Sequence, residues 1–489
     1  VAQLFLGVDL GTSATKLGVF DAQGRRIALA RAECKVARPK PGWAEQNPDD
    51  WWTSVLTCWS QIRAEGVPPN DIRAVGLSGH FTVVFLDEYG RPARPAITWQ
   101  DARADEEAAY LADRYDAAHA RALFGVNVPV SPAMPAAKIR WVMTRCPEEA
   151  RRVRWVAQAK DYVALQLCGE VCSDPQSLIG IVHPSTGDWD DAYLADLGLI
   201  PAHIPRITPP FRNAGYVTKE AYDATGIRIG VPVIMGCVDA LCSMLATGVY
   251  RPGAAFDYAG TSEIVGLRVP KPPEDHPGLI ALPFDRKSAV VYGLTNCGAD
   301  VLSWARDALG ADSYEEVLAL AAEARPDADA PLFLPYLDGE RSPVWDADAR
   351  GAWLNVRRHH GRAELAFSVL EGVAFAVAQI LRLAAEAAGV QPEEIVVSGG
   401  GARSDLWAQV RADVVGLPVQ VVEEAETGAL GAAMLAAVGF GEFEAMADAA
   451  EAMTRVGKRL SPRRELREIY RRRQRVYDAA YAATRSLRP

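Results

Sequence analysis

The sequence predicts an α/β protein built as two related lobes, and three observations carry that prediction. Strand-like apolar runs alternate with helical patterns, as in layered α/β architectures. A Gly-Thr-Ser triplet between strand-like flanks occurs twice, at Gly11-Thr12-Ser13 and again 249 residues later at Gly260-Thr261-Ser262. The length of 489 residues suits two or three domains. An offset near half the chain favours two, over residues 1–248 and 249–489.

The elements follow in order. Leu4-Phe5-Leu6-Gly7-Val8 reads as a buried strand, Gly11-Thr12-Ser13 as a turn, and Thr15 to Phe20 as a returning strand. Asp21-Ala22-Gln23-Gly24 then turns into Arg26 to Leu29, giving three antiparallel strands. Asn47-Pro48-Asp49-Asp50 is a cap signal for a helix from Trp51 to Arg63, and Ile72 to Ser78 reads as a buried strand. Val233 to Val238 is a strand that ends at Asp239, with a packed helix following from Ala240. Tyr250-Arg251-Pro252-Gly253 punctuates the chain before the second hairpin. Further on, Ala363 to Ala388 is a long helix, and Gln391 to Val397 is a strand. It leads through Ser398-Gly399-Gly400-Gly401 to a helix starting near Leu406.

Composition excludes several classes of function. The net charge of −10 opposes polyanions, so neither nucleic acid nor an anionic membrane is expected as a partner. The basic runs Arg463-Arg464 and Arg471-Arg472-Arg473 read as a solvated helix face. No run approaches the ~20 apolar residues of a membrane span, and Val1 to Val8 lacks the basic start of an export signal. Eight cysteines show no metal-ligand spacing, which fits reduced thiols in the cytoplasm.

Six constellations bear chemistry. Gly11-Thr12-Ser13 with Lys16 reads either as an ordinary hairpin turn or as a nest of backbone N–H groups that accepts phosphate. Asp9 favours the second reading, because a carboxylate ending a buried strand needs solvent, a partner or a cation, and a hydrated Mg²⁺ shared with phosphates would serve. Gly260-Thr261-Ser262 offers a second phosphate turn, and Ser398 to Gly401 a bare backbone surface for a flat base. Asp239 is either an N-cap or a general base for a substrate hydroxyl. Trp99-Gln100-Asp101-Ala102-Arg103 reads as a polyol-binding wall or as a surface Asp–Arg pair, and His80 with Phe81 forms a further edge at a strand end. No P-loop is present, and the glycines do not fit the dinucleotide fingerprint.

These residues together resemble the FGGY carbohydrate kinases of the actin/Hsp70/hexokinase-like (ribonuclease H-like) superfamily, xylulose kinases most of all. The matching stretches run from Leu4 to about Phe440. They include Asp9 to Ser13, Gly42 to Gln46, Trp99 to Arg103, Lys160-Asp161-Tyr162, Gly236 to Asp239, Gly260 to Ser262, Glu340 to Pro343 and Ser398 to Ala402. The family's second signature is nearly intact from Gly351 to Glu371, with Asn355 in place of Gly. Of the first signature, Lys138 and Trp141 fit while Ala133 and Arg145 do not.

The resemblance implies two lobes around a central cleft, with ATP on the C-terminal lobe and a small sugar or polyol mainly on the N-terminal one. Asp239 would be the catalytic base, and Asp9, with Asp239, would hold Mg²⁺. The two Gly-Thr-Ser turns and Lys16 would take the β- and γ-phosphates, and Gly400-Gly401 would face adenosine. His80, Phe81, Trp99, Asp101 and Asp239 would meet the acceptor, and a homodimer is compatible. Two departures bear on the sugar: Gly79-His80-Phe81-Thr82 stands where xylulose kinases carry a Met-His pair, and Ala240 stands where they carry Asn. Ribulose, glycerol and erythritol are alternative acceptors. A nucleotide-dependent chaperone-like or regulatory protein on the same scaffold is the competing class, weakened by the lack of a peptide-binding domain.

Overall fold

The computed structural model describes residues 3–124, 130–285 and 288–487; Val1 and Ala2 of the opening run lie outside them. The chain forms two compact units, Val1–Gly248 with Glu426–Thr454, and Val249–Ala425 with Arg455–Pro489.

The first unit is organised by a six-stranded mixed sheet. Its strands are β1 (Leu4–Leu10), β2 (Ala14–Asp21), β3 (Arg26–Glu33), β4 (Ile72–Gly79), β5 (Asn213–Tyr216) and β6 (Pro232–Val238), in the order β5-β6-β4-β1-β2-β3. The opening three strands are antiparallel as expected, and β1, β4 and β6 run parallel. Every residue of β1 is buried, because the sheet is covered on both faces, and such strands read as continuous apolar runs. Asn47 caps helix Pro48–Ala64 by accepting from the Asp49 N–H. That helix buries Trp51, Val55, Cys58, Trp59 and Ile62 against the sheet, each large side chain contributing roughly 1.5–3 kcal/mol.

One segment departs from the two-lobe reading of the sequence, which gave everything after residue 249 to the second lobe. Glu426–Thr454 returns to the first unit, and its helix Thr427–Phe440 lies on β1, β4 and β6. The cause is packing. This helix is apolar all round and buried from Thr427 to Ala437, so it has to sit between layers. Gly7 and Gly76 admit it: a Cβ on either would stand 1.9 Å from the carbonyl oxygen of Ala429 or Ala432.

The second unit holds a seven-stranded sheet of β7 (Ala255–Ala259), β8 (Glu263–Val269), β9 (Ile280–Asp285), β10 (Ser288–Leu294), β11 (Ile395–Ser398), β12 (Val419–Val422) and β13 (Val456–Leu460). Their order is β9-β10-β8-β7-β11-β12-β13. The hairpin β7–β8 carries the second Gly-Thr-Ser turn, and β7 runs parallel to β11. Helix Arg362–Ala388, expected from the sequence as a long helix, is the one helix among the described residues long and apolar enough to cross a membrane, which corrects the reading that no run approaches a span. Its most apolar window is 78% buried within the protein, so it serves as a core helix.

The basic C-terminal helix Arg467–Arg485 is not wholly a solvated face. Arg473 is buried, pairs with Glu371 at 2.6 Å and donates to the carbonyls of Asp327, Ala330 and Pro331. A guanidinium has enough donors to satisfy a frayed loop end and a carboxylate at once, which is how this helix docks.

Candidate active site

The register of the first sheet brings the acidic residues together. Asp9 lies opposite Ser78 between β1 and β4, and Ser78 lies opposite Cys237 between β4 and β6. Asp239 therefore emerges beside Asp9 at the carboxyl ends of three parallel strands, the place where open α/β sheets bind ligands.

Asp9 is buried and accepts from the Ser78 hydroxyl at 2.7 Å. Burial raises its pKa, Lys16 opposes the rise, and Asp239 and Glu426 add to it. Asp239 opens helix Asp239–Ala246 and accepts from the Ala240 N–H at 2.7 Å. It is the first helical residue, and Val238 is the N-cap, so the N-cap alternative does not describe it. Part of Asp239 remains open to solvent, yet dense surrounding protein raises its pKa, with Ala240 and Lys16 opposing. Lys16 lies across the hairpin from Asp9 and pairs with Glu426 at 2.6 Å.

Both Gly-Thr-Ser turns are closed by the backbone N–H of their glycine, onto the third residue ahead in the first and the second residue ahead in the other. The Gly11 N–H closes its turn onto Ala14 O at 3.0 Å, and the Gly260 N–H closes onto Ser262 O at 3.1 Å. Thr12, Ser13, Thr261 and Ser262 are half-buried or exposed, and among the described residues their amides have no protein acceptor. Successive free amides in a turn form a concave anion site. In the second unit Tyr258 lies opposite Ser398, so that turn and the Ser398–Gly401 turn share one end of the sheet. Gly400 is exposed with open space around it, whereas Gly401 is buried against Ala259.

The expected acceptor residues divide into open and occupied groups. Trp99 is 40% exposed and Phe81 half-buried. The Trp99 indole donates to the Thr12 hydroxyl at 2.9 Å, tying an aromatic wall to the first phosphate turn. Asp101 is occupied. It is 1% exposed, takes two bonds from the Arg103 side chain at 2.8 and 2.7 Å, and accepts from the Ala44 N–H. The Asp101–Arg103 pair is therefore a buried clamp and not a surface one. Arg103 also pairs with Glu45 at 2.8 Å and stacks on Trp43 at 3.5 Å.

His80 is likewise enclosed, 2% exposed, with ring contacts to Leu10 O at 2.8 Å and Gln46 Oε1 at 3.1 Å. Gln46 in turn donates to Thr12 O at 2.9 Å. Burial lowers the imidazole pKa, against the pull of Leu10 O and Asp9. His80 thus links Leu10, the residue before the turn, to Gln46.

Ser78, Gln46, Glu426 and Gly428 were not visible as site residues in the sequence. Glu426 and Gly428 flank Thr427 in a small-residue run, and only the return of that segment to the first unit brings them beside Lys16 and Asp9.

Comparison with known proteins identifies the family. Residues 4–246 match the N-terminal domain, and residues 258–440 the C-terminal domain, of the FGGY family of carbohydrate kinases. The chain is 32% identical over 445 residues to the xylulose kinase of Escherichia coli, covering 89% of this chain and 90% of that one. It is 28% identical over 481 residues to the gluconokinase of Bacillus licheniformis, covering 96% and 93%. The crystal structure of xylulose kinase from Rhodospirillum rubrum superimposes with a TM-score of 0.89 at 28% identity, covering 99% of both chains. With two α/β lobes of actin-like fold and both family domains matched, the chain belongs to the FGGY family of carbohydrate kinases, phosphotransferases with an alcohol group as acceptor.

Proposed function

We propose that this kinase transfers the γ-phosphoryl group of ATP to a hydroxyl of a small sugar or polyol, with xylulose the first acceptor to test. The observation that carries the reading is the pair of carboxylates, Asp9 and Asp239, at aligned strand ends beside a turn with free amides. The acceptor oxygen attacks the γ-phosphorus, the bond to the β,γ-bridging oxygen breaks, and ADP leaves. Asp239 takes the hydroxyl proton. Its raised pKa narrows the gap to the group it deprotonates, as a general base requires. The Gly-Thr-Ser turns and Lys16 bind the phosphates, and Gly400-Gly401 lies along adenosine. Trp99 and Phe81 wall the acceptor, while His80 and Asp101 hold that wall and the turn in place.

The donor set suits Mg²⁺. Asp9 and Asp239 are hard oxygen donors, and burial raises the pKa of both while Lys16 opposes the rise. Among the described residues no group of three or more His, Cys, Asp or Glu could hold a metal, so water and phosphate would complete the shell, as is usual for this ion. Bound there, Mg²⁺ would offset charge on the phosphate oxygens. All eight cysteines are free, which suits a reducing cytoplasm.

The acceptor is tested by ADP release with xylulose, ribulose, gluconate, glycerol and erythritol, with and without Mg²⁺. One acceptor is expected to raise the rate well above the ATP-only background. Failure of every acceptor to do so would contradict the reading.

A further inference from the structure

Three charged side chains are fully enclosed within the second unit. Arg411, Asp257 and Glu263 are each 0% exposed. The Arg411 Nε donates to Asp257 Oδ2 at 3.0 Å, its Nη2 donates to Glu263, and the Trp407 ring lies 4.4 Å from the guanidinium. Burial holds Glu263 well above the usual carboxylate range, with Arg411 opposing the rise and Asp257 adding to it. Well-packed apolar side chains stabilise a core at least as well as a buried ion cluster, so stability alone does not account for this one.

Its position does. Asp257 lies on β7, three residues before Gly260, and Glu263 directly follows Ser262, so the carboxylates sit on the two legs of the second Gly-Thr-Ser hairpin. Arg411 comes from helix Asp405–Val415, which begins just after the glycine turn, and a Cβ on Gly401 would stand 3.6 Å from its Nη2. One planar group therefore bonds to both legs of one turn and lies close to Gly401 of the other.

We propose that Arg411, with Asp257 and Glu263, is a positioning group that sets the spacing between the Gly260–Ser262 turn and the Ser398–Gly401 turn, and through it the affinity for a nucleoside triphosphate. This rests on the reading above that the two turns hold phosphate and adenosine. A nucleotide held at both ends senses that spacing, since misplacement by about 1 Å weakens a preorganised site by up to roughly 100-fold.

Removing Arg411 alone would leave two carboxylates facing each other in the core, so the informative variant is neutral throughout: Asp257→Asn, Glu263→Gln, Arg411→Met. Its unfolding, its ATP and ADP Kd, and its KM for ATP and for acceptor are measured on the full chain, beside Arg411→Lys and Gly400→Glu. The neutral trio is expected to unfold cooperatively, with ATP KM and ADP Kd up about 10-fold and acceptor KM within about twofold. Arg411→Lys, with one donor group for two partners, is expected to lie between. A folded neutral variant with wild-type nucleotide affinity overturns the proposal. Should that variant not fold, Arg411→Lys decides, and an unchanged ATP KM overturns it. Gly400→Glu, at an open surface position, reads the underlying assignment. If it weakens ATP while the trio does not, only the positioning role fails; if neither does, the nucleotide assignment fails as well.

Discussion

Gly428 lies against Asp9 so closely that a methyl group on it would stand 2.5 Å from the Asp9 Oδ2. Asp9 has little room to give way, because its strand is buried and Ser78 holds its other oxygen. Gly428→Ala is therefore expected to turn the carboxylate aside and to lower kcat about 10- to 100-fold, by misplacement, with ATP binding largely kept. Steady-state kinetics with a direct ATP titration check this; wild-type kcat in the variant would remove Asp9 from the chemistry.

His80 distinguishes a brace from an acceptor contact. Its ring bonds to Leu10 O and Gln46, and Gln46 holds Thr12 O. His80→Ala is expected to cost about 1–3 kcal/mol of stability through the buried partners it strands. Turnover should fall while the acceptor KM changes less than about twofold, because uniform binding is untouched. A large rise in acceptor KM at unchanged kcat would show that the ring meets the acceptor after all.

Lys138 gives a stability signature that depends on pH. It is 1% exposed, donates to Pro132 O and Ala133 O, and burial pushes its pKa down to about 7. An unfolded lysine keeps its proton to roughly pH 10.4, so between pH 7 and 10 the unfolded chain binds one more proton than the folded one. Stability from this site therefore rises with pH across that window, by at most about 1.4 kcal/mol per unit, and is flat below it. Lys138→Met should abolish the rise, so the wild-type-minus-variant difference grows from pH 7 to 9 in denaturant titrations. A flat difference would mean that the lysine stays charged when buried.

Asp239 must be ionised to accept a proton, and burial raises its pKa while Lys16 opposes. The acid limb of kcat/KM for acceptor, at saturating ATP, is expected above the ordinary aspartate value of about 3.9. Lys16→Met should move it higher, because the same cation lowers both Asp9 and Asp239. A limb indifferent to Lys16 would place the titrating group elsewhere.

Local chemistry was legible in the sequence and distant partners were not. The hairpins around Gly11 and Gly260, the Asn47 cap and the strand ending before Asp239 rest on turn residues and strand period, which act within a few positions. Helix Thr427–Phe440 is apolar on every side, so its sequence does not say which unit it joins, and Glu426 and Gly428 stayed hidden with it. Asp101 and His80 read as open polar groups because their occupants, Ala44 N–H and Gln46, come from a segment 57 and 34 residues earlier in the chain. Arg411 meets carboxylates 154 and 148 residues earlier, beyond the reach of any local pattern.

The role of Asp239 is decided by turnover of Asp239→Asn, measured as phosphorylated acceptor formed at saturating ATP beside the ATP Kd of the same preparation. Loss of about 10²–10⁴-fold in kcat is predicted, the range for removing a general base, with ATP Kd within about twofold of wild type. Turnover within tenfold of wild type, with ATP bound normally, would contradict the assignment of Asp239 as the base.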